Sequence, residues 1–370
     1  MAVFIHNIAT SVPPHAVKQQ RIREIMKQHL ASNRKTKAII HRIYSQSGIE
    51  KRHSVLEDFI PNNNGALFFN GEAKTPPGTK ARNDMYEQEA TPLFLDVSQK
   101  LLDDNKTFDK DDITHVITVS CTGFFAPGPD FQIVKSLGLK PQTQRFHIGF
   151  MGCYAAFPAL KMAQSFCMAD PKAVVLVVCA ELCSLHFQFG SNIDELLSGS
   201  VFADGAAGLL VSSKQPEKPA FSIDKFATSL VFKGEQDMAW SIGDSGFDMV
   251  LSTYVPNIIR DNIEEVVQPL YDQYEAQKED IDYWALHPGG RAILDKIQSN
   301  LQLKPPQISA SRKVLAEYGN MSSATVLFVL KELLNTQLKE GDKILPVAFG
   351  PGLTIESGLL TFHQTYTETE

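Results

Sequence analysis

Ala173-Val-Val-Leu-Val-Val-Cys-Ala180 is an unbroken apolar run dominated by β-branched residues. It is far too short to cross a bilayer, which takes roughly 20 residues. It also lacks the polar–apolar alternation of a strand with one wet face. The run predicts a strand buried on both sides, as in the parallel sheets of layered α/β proteins. Just upstream, residues 155–169 place Phe157, Leu160, Met162, Ala163 and Phe166 at helical spacing. Further β-branched runs at 113–119 and 207–211 flank this unit. Buried strands alternating with helices define an α/β layered architecture.

The remaining chain extends the pattern in both directions. Residues 16–46 and 86–102 read as helical, and 58–83, rich in Pro, Asn and Gly, read as a long surface excursion. Residues 213–219 carry two prolines and mixed charge and form the expected boundary between halves at 1–212 and 213–370. In the second half a strand at 281–286 leads into a helix at 291–301. Residues 318–320 lead into a long helix ending near Leu338, and strands at 344–349 and 357–362 bracket a Gly-Pro-Gly turn.

Bulk composition narrows the function. With 370 residues, 43% of them hydrophobic, the chain has ample material for a large core. Its 35 Lys and Arg against 42 Asp and Glu give a formal charge of -7, which supplies no general attraction to nucleic acid or an anionic membrane. The N-terminus, Met-Ala-Val-Phe-Ile-His-Asn, has no signal-peptide pattern. The cysteines number 5, an odd count with no CxxC pair, so we expect a reducing, cytoplasmic setting without membrane insertion. No metal is expected: Cys179 and Cys183 lack partners at zinc spacing, and the acidic stretch 103–112 lacks the Gly and Glu of a calcium loop.

Three residues carry candidate chemistry. Cys153 lies in Ile148-Gly-Phe-Met-Gly-Cys-Tyr-Ala-Ala, at a strand-to-helix turn whose helix N-terminus is expected to lower the thiol pKa. A free cysteine is more often inert core, but the glycine-flanked turn favours a nucleophile. His287, in Tyr283-Trp-Ala-Leu-His-Pro-Gly-Gly, ends a buried strand, where functional residues of α/β proteins gather; a satisfied core histidine is the alternative. Asn320, in Tyr318-Gly-Asn-Met-Ser-Ser, reads alone as a helix cap and, beside the other two, as an amide for a thioester oxygen. The turn Phe349-Gly-Pro-Gly-Leu-Thr-Ile-Glu is not a GxGxxG phosphate loop, but its glycines, Gly352 among them, would let backbone approach a ligand.

Taken in order, these four motifs resemble the chalcone and stilbene synthase family, the type III polyketide synthases, over nearly the whole chain. The resemblance implies a thiolase-like five-layered αβαβα fold of two related halves and a homodimer. It also implies an acyltransferase without cofactor, acting on CoA thioesters. An acyl-CoA starter would be loaded on Cys153 and extended with malonyl-CoA by decarboxylative condensation, with His287 and Asn320 assisting. The substrate-binding set it implies comprises Phe202 and Phe247 as gatekeepers, Cys121 and Thr122 on the cavity wall, and Ser322 and Gly352. Lys51 and Arg52 fall near the basic CoA contacts, and Ala126 at the residue that crosses the dimer interface. Cys121 and Thr122 replace the Thr and Ser of plant chalcone synthases, and Met238 replaces a small cavity glycine. Cys121 and the excursion at 58–83 resemble bacterial members, and together the departures speak against a flavonoid-type starter and product; starter, number of extensions, ring closure and any carrier protein stay open. The competing readings are a single-round ketoacyl-synthase-type enzyme and a catalytically silent acyl-binding relative.

Overall fold

The computed structural model describes residues 1–60, 66–69, 76–188, 190, 192–274 and 277–364. The chain runs β1 (Phe4–Ser11), β2 (His15–Lys18), α1 (Gln19–His29), α2 (Arg34–Ser45), β3 (Lys51–Ser54), α3 (Thr79–Asp103), β4 (His115–Ser120), α4 (Pro129–Leu137), β5 (Gln144–Gly149), α5 (Ala156–Ala169), β6 (Val174–Leu182), α6 (Ile193–Val201) and β7 (Asp204–Ser212). It continues with β8 (Ala220–Leu230), β9 (Met238–Gly243), β10 (Gly246–Leu251), α7 (Val255–Tyr274), β11 (Tyr283–Leu286), α8 (Arg291–Asn300), α9 (Ser309–Tyr318), α10 (Thr325–Leu334), β12 (Lys343–Gly350) and β13 (Thr354–His363).

Among the described residues nine strands join in the order β11-β12-β13-β8-β1-β7-β6-β4-β5. The apolar run of β6 is buried at every position, parallel to β4 and antiparallel to β7. Strand β1 is the hinge of the sheet: Phe4 and Ile5 pair with Ser222 and Phe221 of β8 as well as with Ser212 and Val211 of β7.

Three apolar clusters reveal the layers. A central cluster holds Phe157, Leu160 and Ala163 of α5 and Leu327, Phe328 and Leu330 of α10, together with inward residues from both flanks of the sheet. A second lies under α3, through Tyr86, Phe94 and Leu101. A third lies under α7 and α8, through Ile259, Ile263 and Leu294. Helices outside, strands, central helices, strands and helices outside give the five-layered αβαβα arrangement.

The structure adjusts several local expectations. The stretch 16–46 is a short strand and two helices, because Asn33 interrupts it and caps α2, its Oδ1 accepting the Thr36 N–H at 2.9 Å. The helix after Asn320 stops at Leu334, where Asn335 and Thr336 fold back onto Glu332 and Leu333. Part of the 58–83 excursion (61–65 and 70–75) lies outside the described residues. Its described parts are not all surface: Asp58 and Phe68 are buried, and the Asp58 carboxylate accepts the N–H groups of Leu67, Phe68 and Phe69. Burying polar backbone requires such partners.

Candidate active site

The nucleophile turn is built by backbone geometry. After β5 the chain passes through Phe150 at φ 60 and Gly152 at φ 85 before α5 begins. A Cβ on Gly152 would stand 2.5 Å from Cδ of Pro351, so the turn from β12 to β13 and the nucleophile turn approach at a distance only glycine permits. Phe150 and Ser322 (φ 47) are left-handed non-glycine residues, each costing on the order of 1–3 kcal/mol, and they flank Cys153 and Asn320 in sequence.

Cys153, His287 and Asn320 line one cavity of about 50 Å³, together with Cys121, Thr122, Cys183, Phe202, Met238, Trp240, Met249, Leu251, Ser322, Phe349 and Pro351. Cys153 Sγ lies 3.9 Å from Asn320 Oδ1. That oxygen also accepts the Ser322 N–H at 2.9 Å, while Nδ2 points to the Gly289 carbonyl at 3.4 Å. Asn320 is thereby oriented from two sides, and its main chain bridges to Phe202. His287 is positioned by its own N–H, which donates to the Val347 carbonyl at 2.7 Å. Both of its ring nitrogens are buried without a hydrogen-bond partner among the described residues, so they are available to a ligand.

The protonation state differs from the sequence expectation. Burial pushes the Cys153 thiol up to about 12, its side-chain contacts with Ser322 and Asn320 only partly opposing it. Burial alone holds His287 down at about 3. Burial thus disfavours charge on each of the two side chains. A helix N-terminus offers about half a charge, and desolvation of the sulfur outweighs it.

Behind the cavity wall sits Glu181, which the sequence reading did not single out. It is fully buried and accepts hydrogen bonds from the Cys121 N–H (2.9 Å), Thr122 Oγ1 (2.9 Å), Ser323 Oγ (2.5 Å) and Ser120 Oγ (3.3 Å). It ties the end of β4 to the Asn320 loop. A lone acid closing the most apolar strand was the available signal, since a buried charge needs partners.

Other candidate residues fall differently. Cys121, Thr122, Phe202 and Ser322 line the cavity, and Cys121 Sγ accepts the Gly152 N–H at 3.0 Å. Phe247 is not on the lining. It stacks on His186 at 4.1 Å and meets Trp240 edge-on, one ring back from the cavity. On the same face of β10, Met249 and Leu251 reach the cavity instead, because a strand repeats its faces every second residue. Likewise Pro351 lines the cavity and Gly352 does not; Gly352 uses its N–H on the Met238 carbonyl at 3.4 Å. Ala126 is exposed.

Lys51 is exposed, but Arg52 is not a free phosphate contact. Its guanidinium is buried and donates to Gln19 Oε1 (2.9 Å) and to the carbonyls of Gly199 (3.0 Å) and Phe202. Alternation along β3 turns neighbouring residues to opposite faces, so Lys51 and Arg52 cannot serve one surface site. Replacing Arg52 with Met is expected to destabilise the fold by about 3 kcal/mol through the orphaned acceptors. Urea unfolding checks this; an unchanged midpoint would show the hydrogen bonds to be dispensable.

Acid stability follows from histidines held neutral by burial. His6 and His186 are held at about 4 and His287 at about 3, chiefly by burial. Below the ordinary value near 6.5 the unfolded chain protonates them while the fold does not, so stability falls as pH drops from 6.5 towards 4. Asp204, pushed up to about 6 by burial, acts oppositely, and Glu181, also raised by burial, adds to that. Burial also lowers His53, His115 and His147 and raises Glu356, so six histidines outnumber three carboxyls and stability falls with pH by about 1.4 kcal/mol per pH unit for each net proton. Unfolding midpoints between pH 6 and 4.5 measure it; a flat profile would refute the neutral histidines.

The layers and the Cys–His–Asn cavity place the molecule in the thiolase fold. Family models for chalcone and stilbene synthases match residues 2–215 (N-terminal domain) and 223–363 (C-terminal domain). The chain belongs to this family, the type III polyketide synthases. A probable polyketide synthase of Dictyostelium discoideum is 30% identical over 365 residues, covering 96% of this chain and 11% of that protein. The chain thus spans about a tenth of the length of that relative. Among solved structures, a polyketide synthase of the brown alga Ectocarpus siliculosus is 30% identical with a TM-score of 0.91, covering 97% of this chain and 98% of that one. The C-terminal type III domain of a type I/III hybrid from Dictyostelium is 28% identical with a TM-score of 0.91, covering 99% and 100%. The 1,3,6,8-tetrahydroxynaphthalene synthase of Streptomyces coelicolor is 29% identical with a TM-score of 0.87, covering 99% and 100%. Among the described residues no helix is long and apolar enough to cross a membrane.

Proposed function

We propose that this polyketide synthase is an acyltransferase that extends an acyl-CoA starter iteratively with malonyl-CoA and releases a cyclised pyrone, resorcinol or phloroglucinol. The observation that carries this reading is the convergence of Cys153, His287 and Asn320 on one apolar cavity. The Cys153 proton passes to His287, giving a thiolate without adding net charge to the buried site. The thiolate attacks the starter carbonyl, the C–S bond to CoA breaks, and the departing CoA sulfur takes the proton back. Malonyl-CoA then places its thioester oxygen against His287 and the Asn320 amide. The bond to its carboxylate breaks, carbon dioxide leaves, and the electron pair becomes an enolate stabilised by those donors. The enolate carbon attacks the Cys153 thioester, the sulfur leaves as thiolate, and the lengthened chain returns to it for another round. Apolar walls at Met238, Met249, Leu251 and Phe349 would keep water from the reactive intermediates.

The same reading includes a homodimer in a reducing, cytoplasmic setting, with CoA thioesters as substrates and no bound cofactor. Among the described residues β5 is an edge strand paired only with β4, and unpaired edges invite pairing. Phe124 and Phe131 are partly exposed beside it. All 5 cysteines are free thiols. Product analysis by mass spectrometry, with malonyl-CoA and acetyl-, long-chain acyl- or aromatic acyl-CoA, tests the proposal. Products with two or more extension units support it; a single extension with every starter would make the enzyme a single-round condenser.

A further inference from the structure

Positive charge is gathered at one place in this acidic chain. Residues 18–53 hold 10 Lys and Arg against 2 Asp and Glu, although the whole chain stands at -7. They include the end of β2, both helices α1 and α2, and most of β3. Helices α1 and α2 run side by side in opposite directions, Arg23 donating to Ser45 and Lys27 to His41. Glu24 is taken up by Arg23 and Lys27. Lys18, Arg34, Lys35, Lys37, Arg42 and Lys51 are exposed, and none has a carboxylate partner among the described residues.

Their placement works against local stability. Lys18 stands directly opposite Lys51 in the β2–β3 pair, where like charges repel. Arg34, Lys35 and Lys37 fill the first turn of α2, which carries no acid. The helix dipole makes that end positive and favours carboxylates there. Departures from local rules are expected where a surface serves function, and an anionic partner offsets both costs. Lys18, just before α1, lies at the opposite end of the helix pair from Arg34. With 12 residues, α2 alone is about 18 Å long, so the phosphates of one nucleotide cannot meet both groups. A membrane matches poorly as well. None of the exposed large apolar side chains falls within 18–53, whereas helices that lie on bilayers bury an apolar face. The inner sides of the same elements supply Val17, Ile22, Met26 and His53 to a cavity that shares Phe202 and Trp240 with the Cys153 cavity. A partner seated outside therefore stands beside a way to Cys153.

We propose that the α1–α2 pair and the β2–β3 ribbon form a docking surface for an acidic carrier protein, which delivers the starter on a phosphopantetheine arm. This rests on Cys153 being the acyl-carrying nucleophile. The C–S bond to the arm breaks, the acyl–Cys153 bond forms, and the arm's sulfur takes the Cys153 proton. Two donors of the same octanoyl group test it: an acidic acyl carrier protein and CoA. Intact-protein mass spectrometry reads the rate of Cys153 acylation in the unmodified enzyme and in the triple variant Arg34→Glu, Lys35→Glu, Lys37→Glu. Transfer from the carrier is expected to fall about tenfold in the variant, the effect of three exposed ion pairs. Transfer from CoA should change less than about twofold, since α2's first turn is more than it needs. The variant should unfold at an equal or higher urea concentration, because its new carboxylates suit the helix N-terminus; a loss of transfer is then not a loss of fold. Carrier transfer untouched by the substitutions, or no carrier transfer beside normal transfer from CoA, would overturn the carrier assignment. An equal loss with both donors would overturn it too and give the surface to CoA. So would unchanged carrier transfer beside lost binding to phosphatidylglycerol vesicles or to duplex DNA. Acylation by neither donor would instead overturn the reading of Cys153. Anisotropy of the labelled carrier then decides docking, which stands if the triple variant binds about tenfold more weakly and falls if it binds equally.

Discussion

Replacing Cys153 with Ala is expected to reduce polyketide formation by between about 10⁴- and 10⁶-fold, the range found when a covalent nucleophile is removed. Malonyl-CoA should still lose carbon dioxide in this variant, because His287 and Asn320 remain to meet the thioester oxygen. The two effects separate because the first needs an acyl–sulfur bond and the second does not. Two other sulfurs line the cavity, Cys121 and Cys183, so substitution for the lost nucleophile needs consideration. Burial drives both thiols well above their ordinary range, with the Glu181 carboxylate adding to it, and Cys121 Sγ is occupied by the Gly152 N–H. Neither is expected to take over. Carbon dioxide release from carboxyl-labelled malonyl-CoA, run beside product analysis, reads both steps. Normal product from the variant, or an acyl adduct moved to Cys121, would remove Cys153 from the role proposed.

Replacing Asn320 with Ala should slow malonyl-CoA decarboxylation about 100- to 1000-fold, as loss of one preorganised donor to a developing oxyanion does. Starter loading on Cys153 should change much less, because the thiolate attack does not use the amide. The size of the effect depends on preorganisation: the Ser322 N–H holds the amide oxygen and the Gly289 carbonyl faces its nitrogen. The same hydrogen bonds make Asn320 a part of its loop, so unfolding must be measured alongside. If loading and decarboxylation fell together in step with lost stability, Asn320 would be a loop-forming residue only. A loop-forming role is the alternative for this residue, and the contact from the Ser322 N–H to the Asn320 amide oxygen is its physical basis.

Much of the fold was legible because it is recorded locally. The β6 run, apolar on both faces, implied a doubly covered strand, and the spacing in 155–169 implied the helix beside it. Elements with weaker local signatures were missed. Strand β1 and the hairpin of β9 and β10 mix polar and apolar residues, and β8 is buried at its start and exposed at its end. Strands β1 and β8 are held by partners far away in sequence, whereas β9 and β10 pair with each other across a short turn.

The site divides in the same way. Backbone-dictated features could be read from sequence: the glycine-flanked turn at Cys153, the strand end at His287 and the loop at Asn320, all of which face one cavity. Features that depend on the direction of a side chain could not. Arg52 turns inward and Lys51 outward because of how β3 sits on its neighbours. Met249 lines the cavity, while Phe247 on the same face of β10 stacks on His186 one ring further back. The hydrogen bonds of Glu181 and the burial that disfavours charge on Cys153 and His287 come from groups that only folding brings together. By itself the sequence determined which segments avoid water and which turns place a nucleophile, a histidine and an amide. The tertiary structure alone decided burial, protonation and cavity shape, since desolvation and hydrogen bonding depend on neighbours that chain order does not specify.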